Sequence, residues 1–341
     1  MTKTLFGETH GSVATAELRG ALQLALRDSL GGSPRIVHLE RRPLAYCTSF
    51  AIEELDVHLA DGRTLQLVFK NLSRAALVEA ARHARPSFLH DSRREIETYR
   101  TILREGCLGT ATWYGAVVAP PLDRYWLFIE RVAGTVLWQI GDLSAWHDVA
   151  RWLARLHARF ADRSTRPAHE VPLLTYDGAF YRRWLTRARA AVGASDDSRA
   201  ARFAHLADRY ERAVEALAAL PKTFIHGELY ASNVLVQQTS SGRRVCPIDW
   251  EMAAIGPGPI DLAALTAGSW SEDDRRAMAL AYHAALPAGT WTAAALLDAL
   301  EYCRLHLAVQ WLGWAEGWTP PPEHAHDWLG EALRVAERLG L

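Results

Sequence analysis

The sequence predicts an α+β fold in two parts: a small N-terminal part built on an antiparallel sheet and a larger, mainly helical C-terminal part. Three observations carry this. Short apolar and β-branched runs, two of them joined by a hairpin-type turn, concentrate before residue 133. After Gly134 the texture changes to long Ala/Arg/Leu segments with helical periodicity. The 341 residues, 49% hydrophobic and 23% charged, are enough for about two cores of ordinary globular composition. The division falls at residues 1–132 and 133–341.

In chain order, residues 17–30 carry Leu18, Ala21, Leu22, Ala25 and Leu26 at helical spacing, and Gly31-Gly32-Ser33-Pro34 stops them. Residues 45–59 and 64–70 read as strands joined at Asp61-Gly62. Residues 74–84 and 92–104 read as helices, and Arg124–Val132 as an apolar, aromatic strand. Val149, Leu153, Leu156 and Phe160 form a helical stripe, and helices follow over 177–192 and 196–219. Short apolar segments at 223–225 and 234–236 lead to 244–249, and helices resume from Ile260 to the end.

The composition excludes several classes. A net charge of -1 gives no basic field for nucleic acid or an anionic membrane. The longest apolar runs fall short of a membrane span, and the start lacks a secretory pattern. Cys47, Cys107, Cys246 and Cys303 are far apart with no C-x-x-C, which suits a reducing cytoplasm better than a disulfide framework. Only three of the 38 basic residues are lysine (Lys3, Lys70, Lys222), so a lysine inside an apolar strand is unusual in this chain.

The chemistry concentrates in His226-Gly-Glu-Leu-Tyr-Ala-Ser-Asn233 and, sixteen residues after Asn233, in Ile248-Asp249-Trp250-Glu251. Together they gather a carboxylate, an amide and a strand-end aspartate, the hard oxygen ligands that Mg²⁺ takes alongside phosphate. Upstream, the strand Leu65-Gln-Leu-Val-Phe-Lys70 places a lysine in an apolar setting. At about 100° per residue, Glu95 shares a helix face with Ile96, Tyr99, Ile102 and Leu103 while Glu97 points away. An inward carboxylate needs a cation, and Lys70 is the candidate. Ser92-x-x-Glu95 also has the form of a capping box, and Lys70 that of a snorkelling strand-end lysine.

The pattern H-G-[D/E]-x4-N…I-D-W resembles the aminoglycoside phosphotransferase and choline kinase family, relatives of the protein kinases. Lys70 matches the family's lysine-bearing strand and Arg94–Arg100 its glutamate helix. Glu130–Gly134 resembles its hinge, Leu153–His157 the helix after it, and Trp250–Leu262 the stretch after the metal aspartate. The resemblance covers roughly residues 35–315, in order, and implies a two-lobed protein-kinase-like fold with ATP between the lobes. It implies that Lys70, paired with Glu95, holds the α/β-phosphates and that Asn233 and Asp249 hold Mg²⁺. Glu228 would orient or deprotonate the acceptor hydroxyl, backbone groups of Glu130 and Val132 would meet the adenine, and Asp261 would brace the loop. His226 would pack and hydrogen-bond rather than act as the base.

The sequence departs from that pattern twice. The usual catalytic-loop aspartate is Glu228, whose extra methylene moves the carboxylate by roughly 1 Å. No glycine lies between Gly32 and Gly62, so the turn over the nucleotide, around Tyr46–Phe50, would use the hydroxyls of Thr48 and Ser49 and backbone N–H groups.

The expected protein is a cytoplasmic, ATP- and Mg²⁺-dependent phosphotransferase acting on a hydroxyl of a small molecule: an aminoglycoside, amino alcohol, sugar or natural product. Trp184, Trp270 and Trp311 are candidates to line the acceptor site. Seven acidic residues against three arginines over 293–341 would suit a cationic acceptor. Two alternatives stay open. One is a pseudokinase that binds nucleotide or a protein partner without transfer; the other is a kinase for Ser/Thr of a biosynthetic peptide.

Overall fold

The computed structural model describes residues 13–44, 49–103, 107–161, 171–195, 198–314 and 325–341. The chain falls into two compact units. The first comprises Met1–His83, His90–Gly106 and Ala111–Arg131, the second Ala84–Leu89, Cys107–Thr110 and Val132–Leu341.

The first unit is an antiparallel sheet of β1 (Ile36–Pro43), β2 (Ile52–Leu59), β3 (Thr64–Asn71), β4 (Trp113–Ala119) and β5 (Arg124–Glu130), in the order β1-β2-β3-β5-β4. The β2–β3 hairpin closes at Asp61-Gly62, where Gly62 takes φ +88° and the Asp61 carboxylate accepts from the Arg63 N–H at 3.0 Å. Helix α1 (Thr15–Leu30) lays Leu18, Leu22 and Leu26 against Leu55, Val57, Leu67 and Phe128 to form the core.

Both edge strands escape the sequence reading. β1 is IVHLERRP, with every side chain after Ile36 exposed or half-buried and a terminal Pro43, a polar edge without clear alternation. β4 is interrupted by Gly115. The strand predicted from residue 45 starts at Ile52. The helix predicted over 74–84 is a 3₁₀ turn (Arg74–Ala76) followed by α2 (Glu79–Ala84). That predicted over 92–104 is α3 (Arg94–Glu97), continued by a π-type turn over Thr98–Ile102.

The second unit is mainly helical: α4 (Leu143–Arg159), α5 (Gly178–Gly193), α6 (Ala200–Arg209), α7 (Glu211–Ala219), α8 (Pro259–Leu265), α9 (Glu272–Ala285), α10 (Ala293–Trp314) and α11 (Trp328–Arg338). Side-chain caps start several of them: Asp142 accepts from Ser144 N–H, Asp177 from Phe180, Ser271 from Asp274 and Asp327 from Gly330. α10 packs against α5, α8 and α11 and is the central helix of this unit. Two small sheets hold the loops. One orders β10-β9-β6 from β6 (Thr135–Val136), β9 (Val234–Thr239) and β10 (Gly242–Pro247). The other orders β7-β11-β8 from β7 (Leu174–Thr175), β8 (Lys222–Ile225) and β11 (Ala254–Pro257).

Two short stretches preceding residue 132 belong to this unit for physical reasons. The Phe88 ring meets Phe180 at 6.2 Å and Trp184 at 5.5 Å, and the Arg183 guanidinium lies 5.4 Å from the Phe88 ring centroid. Leu108 O accepts from Trp152 Nε1 at 2.6 Å, and Arg244 donates to Gly109 O at 2.8 Å and Thr110 O at 3.0 Å. Among the described residues no helix is long and apolar enough to cross a membrane.

α1 passes close over the sheet at Gly115, with φ +139°, where an added Cβ would stand 2.6 Å from Ala25 Cβ. Gly115→Ala should therefore lower the unfolding free energy by about 1–3 kcal/mol, read from the urea midpoint. Ala25→Gly in the same chain should recover part of the loss, because it relieves the contact but not the backbone strain. An unchanged midpoint in Gly115→Ala would contradict this packing.

Candidate active site

In the first unit, β3 delivers Lys70 into the interior, where its side chain is 6% exposed. Its Nζ lies 2.7 Å from Glu95 Oε1 and 3.0 Å from Oε2, and the Glu95 side chain is 1% exposed. Helix geometry explains the choice: Glu95 shares its face with buried Ile96 and Tyr99, whereas the Glu97 carboxylate meets Arg100 at 2.6 Å. The N-cap residue of α3 is Arg93, whose side chain makes no cap hydrogen bond, and both Glu95 carboxylate oxygens meet Lys70. A buried pair of this kind is costly to break, about 3–5 kcal/mol, because the remaining charge is stranded.

The other two nucleotide candidates described in this unit are engaged by neighbours. Ser49 O accepts from Val78 N–H at 3.0 Å. Glu130 donates its N–H to Thr112 O at 2.9 Å, and its carboxylate accepts from Thr112 N and Oγ1 at 3.0 and 2.8 Å. Thr48 lies outside the described residues.

In the second unit, the loop after β8 is held from beneath by Asp261, which is fully buried in the first turn of α8. Its Oδ2 accepts from His226 N at 2.7 Å and lies 3.2 Å from His157 Nε2; its Oδ1 accepts from Gly227 N at 2.8 Å. His157 Nδ1 lies 2.9 Å from the Tyr282 hydroxyl. Gly227 has φ +86°, and a Cβ there would fall 2.2 Å from Met252 O, so no other residue fits this turn. His226 is buried, with Nε2 2.9 Å from Ile248 O and its ring 4.5 Å from Trp250. Its contacts are those of a packing residue.

The loop then presents its polar groups. Asn233 Nδ2 donates to Glu228 O at 3.0 Å, and Asn233 O accepts from Ile248 N at 2.9 Å, tying the loop to the strand end that carries Asp249. Asp249 sits at φ +67°, a left-handed conformation unusual for a residue with a side chain. The Asp249 and Glu251 carboxylates have oxygens within 4.8 Å of one another, and Glu251 is ion-paired with Arg85. Burial, helped by the charges of Asp249 and Glu251 and opposed by Arg85, pushes the Glu228 carboxyl up to about 8.

These donors fit a hard cation. With Nδ2 committed to Glu228 O, the Asn233 amide has a fixed orientation and its carbonyl oxygen faces the other way. Asp249 adds a carboxylate, and oxygen donors of this kind suit Mg²⁺.

The tryptophans proposed for the acceptor separate. Trp184 is fully buried, packing with Phe88, Phe180 and Trp314. Trp270 pairs with Trp146 at 4.6 Å. Trp311 meets Tyr230 of the loop at 5.3 Å and stacks on Trp328 at 5.1 Å. His326 packs on Trp328 at 4.5 Å.

The sequence of residues 80–297 matches the model of the phosphotransferase enzyme family. The chain belongs to that family. Membership sets the reaction class as phosphoryl transfer. No curated protein matches the chain at a significant level. Among solved structures, a choline kinase from Cryptosporidium parvum Iowa II is similar at 16% identity and TM-score 0.58, covering 88% of this chain and 90% of that one. A microcompartment-associated aminopropanol kinase gives 19% identity and TM-score 0.58, with the same coverage of 88% and 90%. A choline kinase from Streptococcus pneumoniae gives 12% and 0.56, covering 92% and 96%. This phosphotransferase thus has the two-lobed, kinase-like α+β fold that its motifs imply.

Sequence reasoning gave no role to Arg85, Glu251 or Tyr230 of the phosphotransferase. Glu251 stood inside the quoted Ile248–Glu251 stretch. Arg85 had no motif to mark it, since its place depends on Phe88 anchoring its segment on α5.

The raised Glu228 carboxyl has a measurable consequence for the metal-free protein. Below about pH 4.5 the group is protonated folded and unfolded; between there and pH 8 only the folded state keeps the proton, so its contribution to stability falls as pH rises. Replacing Glu228 with Gln removes that term. The stability advantage of Glu228→Gln over wild type should grow from pH 5 to pH 8 and level off above, as read by thermal unfolding in chelator. A difference independent of pH would refute the shift.

Proposed function

We propose that the protein is an ATP- and Mg²⁺-dependent phosphotransferase that moves the γ-phosphoryl group of ATP to a hydroxyl of a small molecule. The observation that carries the reading is the loop of the second unit, which fixes Glu228, Asn233 and the strand-end Asp249 over a buried Asp261. In this reading the first unit and Val132 serve the nucleotide, and the rest of the second unit the metal and acceptor. Lys70, oriented by Glu95, holds the α/β-phosphates; Ser49 and Thr48 meet them from the turn before β2; backbone groups of Glu130 and Val132 meet the adenine. Asn233 and Asp249 hold Mg²⁺, which when bound neutralises charge on the phosphates.

Glu228 receives or orients the acceptor hydroxyl. A cation joining Asp249 would lower its high proton affinity, by cancelling the part that like-charge repulsion adds to the effect of burial. Phosphoryl transfer depends mainly on positioning and charge stabilisation, so a glutamate can fill this place provided the acceptor shifts by the length of a methylene.

The acceptor is a hydroxyl-bearing small molecule: an amino alcohol, sugar, aminoglycoside or natural product. Tyr230, Trp311 and Trp328 offer an aromatic wall beside the loop, and such faces suit a ring or an ammonium group. A cytoplasmic location accords with Cys246 and Cys303, both buried thiols.

Two measurements test this. ATP and Mg²⁺ together at millimolar concentration should raise the unfolding midpoint by a few degrees, about what a 100-fold excess over Kd gives. Either alone should do less, and Asp249→Ala should abolish the rise. No rise in wild type would remove the nucleotide reading. In a transfer assay over hydroxylated amines, sugars and aminoglycosides, Glu228→Gln should lower kcat by about a hundredfold or more while KM for ATP changes little. Nucleotide binding without transfer to any acceptor would instead support the pseudokinase alternative.

A further inference from the structure

The acidic cluster of the second unit contains a cation of its own. Arg85 lies in the Ala84–Leu89 segment, anchored on α5 through Phe88, and its guanidinium is ion-paired with the Glu251 carboxylate. The two side chains are only 9% and 10% exposed. The guanidinium also lies close enough to act electrostatically on Glu228 and Asp249. Glu251 follows Asp249 by two residues, and their carboxylate oxygens lie within 4.8 Å of one another. That is a spacing at which the pair would share a divalent ion if nothing else claimed Glu251.

Something does claim it. A guanidinium is a permanent cation whose planar fork matches a carboxylate. We propose that Arg85 is a built-in cation that keeps Glu251 out of the metal's ligand set, making the site a one-metal site built on Asn233 and Asp249. The charges agree. Glu228, Asp249 and Glu251 carry three negative charges when ionised, and Arg85 with one divalent ion carries three positive. The inference rests on the metal reading above and adds that Arg85 sets how many ions the protein accepts and how tightly.

The test is a Mn²⁺ titration of the full-length, nucleotide-free protein, with free ion followed by electron paramagnetic resonance. Arg85→Met removes the internal cation and releases Glu251. It should bind Mn²⁺ on the order of tenfold more tightly than wild type, the scale of one like charge removed a few ångströms from the ion, or take up a second ion. Arg85→Lys, which keeps the charge, should stay nearer wild type.

The double variant Arg85→Met/Glu251→Gln replaces the pair with neutral groups and should return to the wild-type affinity within about a factor of two, since no net charge is changed. Binding no tighter, with no second ion taken up, in a folded Arg85→Met would overturn the proposal. So would a loss of tenfold or more in the double variant, because Glu251 would then be a ligand in the wild type. Should Arg85→Met fail to fold, the double variant decides alone. Asp249→Ala tests the metal reading separately: it should lose the Mn²⁺ binding, and if it does not, that reading fails whatever the arginine variants show.

Discussion

Everything the loop of the second unit does depends on one buried carboxylate. Asp261 is removed from solvent and yet stays satisfied by the N–H groups of His226 and Gly227 and by the ring of His157. A carboxylate at this depth is tolerable only because its lone pairs are met, and its place in the first turn of α8 adds the favourable end of that helix. In return, two successive backbone N–H groups are held at one point, which fixes the direction in which the chain leaves β8. The backbone must then pass Met252 so closely that only glycine serves at 227. Asn233 closes the loop by reaching back to Glu228 O and forward to Ile248 N. The polar groups at the surface of the loop are therefore set by bonds beneath it.

The strand end that answers the loop is held in a less favourable backbone. Asp249 takes a positive φ, a conformation costing about 1–3 kcal/mol for a residue with a side chain. Aromatic packing next to it supplies an offset: Trp250 is fully buried and stacks on Phe224 at 5.6 Å and against His226 at 4.5 Å. The same rings that place His226 thus hold the turn that aims Asp249. His226 contributes to the chemistry through this packing and through its bond to Ile248 O.

Much of the fold and most of the candidate groups were legible in the sequence, for identifiable reasons. The hairpin at Asp61-Gly62 and the α1 face announce themselves through turn chemistry and helical period. Glu95 rather than Glu97 facing Lys70 follows from counting residues around a helix. What was illegible lies where the local signal is weak or a contact is remote. β1 and β4 are the two edges of their sheet, one polar and one broken by Gly115, so neither shows a buried alternating face. The π-type turn after Glu97 changes the hydrogen-bond register without changing composition. The three tryptophans grouped for the acceptor separate because residue type says nothing of which helix each one joins.

Arg85 shows the same limit at the level of charge. Both units meet the problem of a buried carboxylate by driving a long cationic side chain into it, Lys70 to Glu95 in the first and Arg85 to Glu251 in the second. The choice of cation follows what each must do. An ammonium is a compact point charge with three donors, which suits the phosphate contact proposed for Lys70. A guanidinium spreads its charge over a planar fork and stays protonated whatever surrounds it, which suits a place among Glu228, Asp249 and Glu251. In a chain where only three of 38 basic residues are lysine, the lysine is the one that stands out in the sequence, and the arginine is hidden among its many equals. Physical context, here a phenylalanine three residues on that fixes the segment to α5, is what distinguishes Arg85 from an ordinary surface arginine.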